Sequence, residues 1–182
     1  MKYPVVEVKL PAVLKGAENG RLPVSVLVDI SGGGKLVSPA ARAWEAMHDA
    51  AMSGVGTKPF KPTSSADAYR SFPQQLAGFM ARFVDAPNPN TTDTTRTYLG
   101  KKWYMKKGVA PMASPGTSNH GWGLAVDIWS ANGQRLDWML QNIAKFGWSW
   151  EVQSEPWHIR YVAGDTLPAA VLEFEAKKIS AV

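Results

Sequence analysis

Pro115-Gly116-Thr117-Ser118-Asn119-His120-Gly121-Trp122-Gly123-Leu124-Ala125-Val126-Asp127 carries a histidine and an aspartate seven positions apart, across two glycines and into an apolar run. Seven positions is too far for adjacent turns of one helix. A loop entering a strand can bring both side chains to one point, because glycine permits a close backbone approach or an unusual dihedral. A second stretch, Glu155-Pro156-Trp157-His158-Ile159-Arg160-Tyr161, adds another carboxylate and another imidazole. The chain has only three histidines, and two of them fall in these stretches. That economy points to a metal centre in which His158, on a neighbouring strand, completes a set with His120 and Asp127. Imidazole and carboxylate donors suit zinc, which in catalytic sites takes three protein ligands and leaves one position open.

Each residue also has a plainer reading. A lone histidine in a strand is more often a hydrogen-bonded structural residue than a ligand. Asp127 lies inside Leu124-Ala125-Val126-Asp127-Ile128-Trp129, and a carboxylate buried there must be paired or bind a metal. Glu155, three residues before His158, is the candidate general base and acid, since amide hydrolysis takes a proton from water and gives one to the leaving amine. Arg70 is permanently charged and suited to an oxyanion or a substrate carboxylate.

Around these stretches the pattern predicts an α+β fold with a small antiparallel sheet flanked by helices. Trp148–Val152 and His158–Val162 read as strands, preceded by a helix over Arg135–Phe146 that ends at Gly147. Leu167–Lys178 reads as a terminal helix. Ser38-Pro39 opens a helix with apolar spacing to Gly54, carrying His48 as a surface or packing residue. Ser71 with Pro73 opens another through Phe83. Residues 3–10 and 22–30 alternate as a hairpin about Glu18-Asn19-Gly20, and Asp85–Thr97 reads as a polar loop. The expected organisation is one domain, with residues 1–60 an extension packed on a core of residues 61–182.

The 182 residues suffice for one buried core. With 45% hydrophobic and 19% charged residues, disorder is not expected to dominate. Cysteine is absent, which excludes disulfides and thiolate ligands. No run of about 18 apolar residues occurs, so no membrane span is expected. Nor does Met1–Lys9 read as an export segment. A net charge of +5 and pI near 9.5 favour an anionic partner. The densest cations, Lys101-Lys102 and Lys106-Lys107 around Trp103-Tyr104, form no nucleic-acid module, and nucleic acid is not an expected partner.

The string at 115–127, followed by Glu-Pro-Trp-His-x-Arg-Tyr at 155–161, resembles the VanY-type D-alanyl-D-alanine carboxypeptidases and the related L-alanyl-D-glutamate peptidases of phage endolysins. These are zinc peptidases of bacterial peptidoglycan with a hedgehog-like fold. The resemblance covers about residues 64–162. It implies His120, Asp127 and His158 as zinc ligands and Glu155 as the catalytic acid and base. Tyr69-Arg70-Ser71-Phe72-Pro73-Gln74-Gln75 resembles the family's Tyr-Arg-Ser segment, although Ala68 stands where the family usually has glycine and Pro73 is atypical. It implies Arg70 as a transition-state or substrate contact and Gln75 and Ser118 as substrate contacts, with Trp157 shaping the pocket. The expected function is a zinc-dependent peptidoglycan peptidase, monomeric, of phage or prophage endolysin type. It would be made in the host cytoplasm and act on the wall after release. The alternatives are a host D-alanyl-D-alanine carboxypeptidase and a catalytically silent hedgehog-like zinc-binding module.

Overall fold

The structure, a computed structural model, describes residues 2–180. Its first strands, β1 (Leu27–Asp29) and β2 (Lys35–Val37), pair antiparallel. They close through Ser31-Gly32-Gly33-Gly34, where all three glycines adopt positive φ. α1 (Ser38–Met52) follows without a break, with Pro39 in its first turn. Its apolar face buries Ala40, Ala43, Trp44, Met47 and Ala51, while His48 sits half-buried beside the Trp44 ring.

α2 (Phe72–Arg82) starts where Ser71 predicts, with the Gln74 side chain accepting the Ser71 N–H at 2.8 Å. It runs into β3 (Phe83–Val84), which joins β4 (Thr91–Tyr98) and β5 (Lys101–Lys106) in an antiparallel sheet of order β3-β5-β4. Phe79, Phe83 and Met105 form a small separate core between this sheet and α2.

The third sheet has the order β6-β8-β7, with β6 (Ala125–Asp127), β7 (Trp148–Trp150) and β8 (His158–Tyr161) all antiparallel. α3 (Gly133–Asn142) and α4 (Ala169–Ser180) complete the chain. Between α1 and this sheet lies the main core, centred on Trp44, Phe60, Trp148, Trp150 and Tyr161, all fully buried. The Trp44 indole N–H donates to the Ser31 carbonyl at 2.9 Å, so the ring is buried without an orphaned donor. Residues from Leu14 to Phe60 and from Leu124 to Val171 share this core.

Three sequence expectations are corrected. Residues 3–10 form no strand: they carry one isolated bridge, Lys9 to Ala163, and Pro4 and Pro11 withhold ladder donors. The turn at Glu18–Arg21 exists, closed by Arg21 N–H to Glu18 O at 3.0 Å, but it joins no strands. The polar loop ends early, because Thr91–Tyr98 is a strand whose β-branched threonines pair with Lys101–Lys106 across Leu99-Gly100, both at positive φ. The helix expected over Arg135–Phe146 begins at Gly133 and tightens to a 3-10 turn at Ile143–Phe146, ending on Gly147 at φ 79°.

Candidate metal centre and active site

The register of the third sheet sets Asp127 directly opposite His158. Cross-strand partners project side by side from one face, and the His158 Nδ1 to Asp127 Oδ1 distance is 2.8 Å. His120 reaches the same point from the 3-10 turn Asn119–Trp122, which ends on Gly123 at φ 62° and then enters β6. Its Nε2 stands 3.3 Å from Asp127 Oδ2. One donor atom from each of these three residues lies within 4.8 Å of the others.

The proton positions follow from the neighbours. His120 Nδ1 is 2.9 Å from the Ala68 carbonyl, which can only accept, so Nδ1 carries the hydrogen and Nε2 turns a lone pair toward Asp127. A lone pair facing a carboxylate is unfavourable unless a cation or proton lies between them. His158 Nε2 is 2.8 Å from Glu151 Oε2, so Nε2–H donates there and Nδ1 faces Asp127. This donor set fits a divalent ion such as zinc: two imidazole nitrogens fixed in orientation and one carboxylate.

The charges agree with that fit. Burial opposes ionisation of Asp127, but the two imidazoles that face it, His120 and His158, outweigh that and hold the carboxyl well below its usual range. Burial likewise opposes ionisation of Glu151, yet His158 and Arg160 bring it down to about 2. Burial disfavours the His158 imidazolium, but Asp127 and Glu151 together raise its pKa to about 9. Without a metal, a proton on His158 takes over part of the ion's role.

Behind the histidine turn the backbone is closely joined. Arg70 N–H donates to the His120 carbonyl at 3.0 Å, so residues 68–70 and His120 hold each other at two points. The Glu18–Arg21 turn wedges beneath them. Asn19 Nδ2 donates to the Ser118 carbonyl at 2.7 Å, and Gly20 N–H to the Gly121 carbonyl at 2.8 Å. A Cβ on Gly121 would come within 2.0 Å of Asn19 Oδ1, so glycine is required at that position.

An open groove of about 1140 Å³ runs from the cluster, and Arg70, Ser118, His120, Asp127, Glu155, Trp157 and His158 line it. A smaller recess of about 530 Å³ adjoins the groove and shares Asp67, Asp127 and Trp157 with it. The Glu155 backbone is held on both sides, its N–H donating to Val152 O and its carbonyl accepting His158 N–H, each at 3.1 Å. Arg70 Nη2 is 3.1 Å from Asp67 Oδ1 and 3.9 Å from Asp127 Oδ2. Ser118 is nearly buried in the wall, and Trp157 is 43% exposed at the mouth.

Gln75 stands apart from these. It is fully buried, and its amide donates to Asn19 Oδ1 and the Arg70 carbonyl and accepts Gly116 N–H. The structure places it behind the wall, joining the segments that carry Arg70 and His120. Sequence reasoning missed Asn19, the Ala68 carbonyl and above all Glu151. Glu151 also accepts from Asn119 and Arg160, each at 2.6 Å. The available signal was a carboxylate at the end of a strand preceding the one that carries His158.

The chain belongs to the VanY D-alanyl-D-alanine carboxypeptidase family, whose model matches residues 34–164. Two solved structures are similar. One is VanYB in complex with D-alanine-D-alanine, at 24% identity and TM-score 0.47, covering 84% of this chain and 83% of that one. The other is a glutamate-to-alanine variant of the vancomycin-resistance D,D-pentapeptidase VanY from a VanB-type cassette, in complex with Zn(II). It has 22% identity and TM-score 0.45, covering 84% and 87%. No curated protein matches the chain. Family membership rests on the family model.

Proposed function

We propose that the protein is a zinc-dependent peptidase that hydrolyses an amide bond in peptidoglycan stem peptides or their cross-links. The observation that carries this reading is the His120, Asp127 and His158 cluster opening on the same groove as Glu155. Zinc held by those three residues supplies Lewis-acid polarisation of the amide carbonyl and acidifies water beside it. The Glu155 carboxylate takes a proton from the attacking water and returns one to the departing nitrogen. Hydroxide adds to the acyl carbon, the C–N bond breaks, and the amine leaves with the proton, so one water is consumed. Arg70 offers a fixed positive charge to the carbonyl oxygen as it gains charge. Ser118 and Trp157 bound the pocket at its polar and apolar sides.

The groove and the recess that adjoins it at Asp67, Asp127 and Trp157 leave room for a substrate that continues past the cleaved bond. That room suits an endopeptidase, and on this reading the enzyme has a wall-lysing role of the phage endolysin kind, with release to the wall after synthesis in the host. The second reading, removal of a terminal D-alanine by a host carboxypeptidase, is favoured by the description of the matched family. A silent zinc-binding module is disfavoured by the retained Glu155. Glu155→Gln is the test: it should abolish hydrolysis of a defined muropeptide while zinc remains bound at one equivalent, and full activity in that variant would overturn the assignment.

A further inference from the structure

The groove has chemically different ends. Its acids, Asp67, Asp127, Glu151 and Glu155, belong to the segments that meet at the metal cluster. The other end is walled by Arg82, the last residue of α2, by Arg96 on β4, and by Ala110-Pro111-Met112. Arg82 Nη1 donates to the Gly78 carbonyl at 2.9 Å and lies 3.8 Å from Met112 Sδ. Arg96 Nε donates to the Met112 carbonyl at 3.0 Å and its Nη1 to the Thr95 carbonyl at 2.9 Å. The two guanidinium groups therefore flank one residue, Met112, held in place by backbone carbonyls that leave their charge unneutralised. Among the described residues neither is paired with a carboxylate. Each guanidinium has five N–H donors, and these bonds leave donors on both free to take a ligand.

The close packing there has a visible cause. Gly78 sits inside α2, where glycine costs about 1 kcal/mol against alanine. A Cβ at that position would lie 2.9 Å from Met112 Cε and 3.2 Å from Arg82 Nη1. The glycine lets Met112 and the Arg82 head settle onto the helix. The apolar neighbours strengthen attraction for an anion that enters, and a guanidinium fork matches a carboxylate in shape.

We propose that Arg82 and Arg96 form a second substrate subsite that binds a free carboxylate of the peptide at a distance from the cleaved bond. This rests on the peptidase reading above and names the substrate class more closely: a peptide that is acidic several residues from its scissile amide. α2 is 11 residues long; Arg70 lies two residues before its start and Arg82 is its last residue. With the Arg82 head folded back one turn, that separation is roughly 10–16 Å, or three to five extended residues. A stem peptide has that length and carries carboxylates along it.

The test is calorimetric binding to the zinc-loaded Glu155→Gln protein, using a synthetic stem pentapeptide with its side-group carboxylates free and the same peptide with them amidated. Amidation should weaken binding about 10- to 100-fold, as expected for a charge-assisted pair. Arg82→Gln with Arg96→Gln should weaken binding of the free form by the same factor and leave the amidated form unchanged. In the otherwise native enzyme the double variant should raise KM and spare kcat. Equal affinity for the two peptides in the unsubstituted groove overturns the subsite, whatever the turnover. Carboxylate-dependent binding without any cleavage by the native enzyme would instead retain the subsite and overturn the peptidase reading.

Discussion

Replacing Glu151 with Gln probes the link between the sheet and the metal centre. Glu151 accepts the His158 Nε2–H at 2.8 Å, and partners of this kind typically contribute 10- to 100-fold to metal affinity by orienting the ring and raising its basicity. The same carboxylate also helps to hold a proton on His158 when metal is absent, at a pKa of about 9. At pH 7 that proton must be displaced from Nδ1 before a metal can bind, at a cost of about 2.7 kcal/mol for two pH units. Removing the charge therefore has two opposed effects. Above pH 9 only the lost orientation counts, and Glu151→Gln should bind zinc about 10- to 100-fold more weakly. At pH 6.5 the unsubstituted protein faces the larger proton competition, so the gap should narrow toward parity. Competition against a fluorescent zinc chelator between pH 6.5 and 9.5 measures both arms. A deficit that is the same at every pH, or none at all, would refute the assigned role of Glu151.

Zinc binding by the unsubstituted protein should release close to one proton from His158 near pH 7, read from calorimetry in two buffers of different ionisation enthalpy. Because the folded pKa of His158 is raised from 6.5 to about 9, the metal-free protein gains stability that is complete below about pH 6.5. That gain is lost as pH rises through 9, and amounts to roughly 3 kcal/mol; a denaturant midpoint that rises from pH 7 to 10 would contradict it. Gly121→Ala should lower both stability and zinc affinity, since the new Cβ would strike Asn19 Oδ1 and the Gln75 amide behind the histidine turn. Chemical denaturation and zinc titration of that variant check this. Trp44→Ala should cost about 3–5 kcal/mol in chemical denaturation, because the ring is fully buried against Phe60 and Trp148.

Legibility of the chain followed the range of the interactions. α1 and α2 were readable because proline and apolar stripe lie within one segment, joined in α2 by the Ser71 capping box; at α1 the cap position is Val37, with Ser38 the first helical residue. The pairing of β6 with β8 was foreshadowed by two apolar strands that each carry a ligand type. The first hairpin was misassigned because Val6, Val8 and Leu10 alternate like a strand yet stay partly or fully exposed. The actual closure depends on three consecutive glycines at positive φ, a turn signal overlooked beside the valines. Thr91–Tyr98 looked like loop because threonine and aspartate are polar, while its pairing depends on a partner strand and a two-residue turn. Among the candidate site residues, His120, Asp127, His158, Glu155 and Arg70 stand in motifs that local pattern marks. Glu151 and Asn19 act only across folded distances, seven residues from His158 and about a hundred from Ser118, so local pattern had no means of marking them.

The most direct measurement is to treat peptidoglycan of defined stem peptide with zinc-loaded protein and with a chelator-treated control, and to identify the new termini by mass spectrometry. The account predicts chelator-sensitive cleavage inside the stem peptide or its cross-link, leaving peptide on both sides of the broken amide. Zinc-loaded protein that binds the wall peptides and produces no new termini would contradict it.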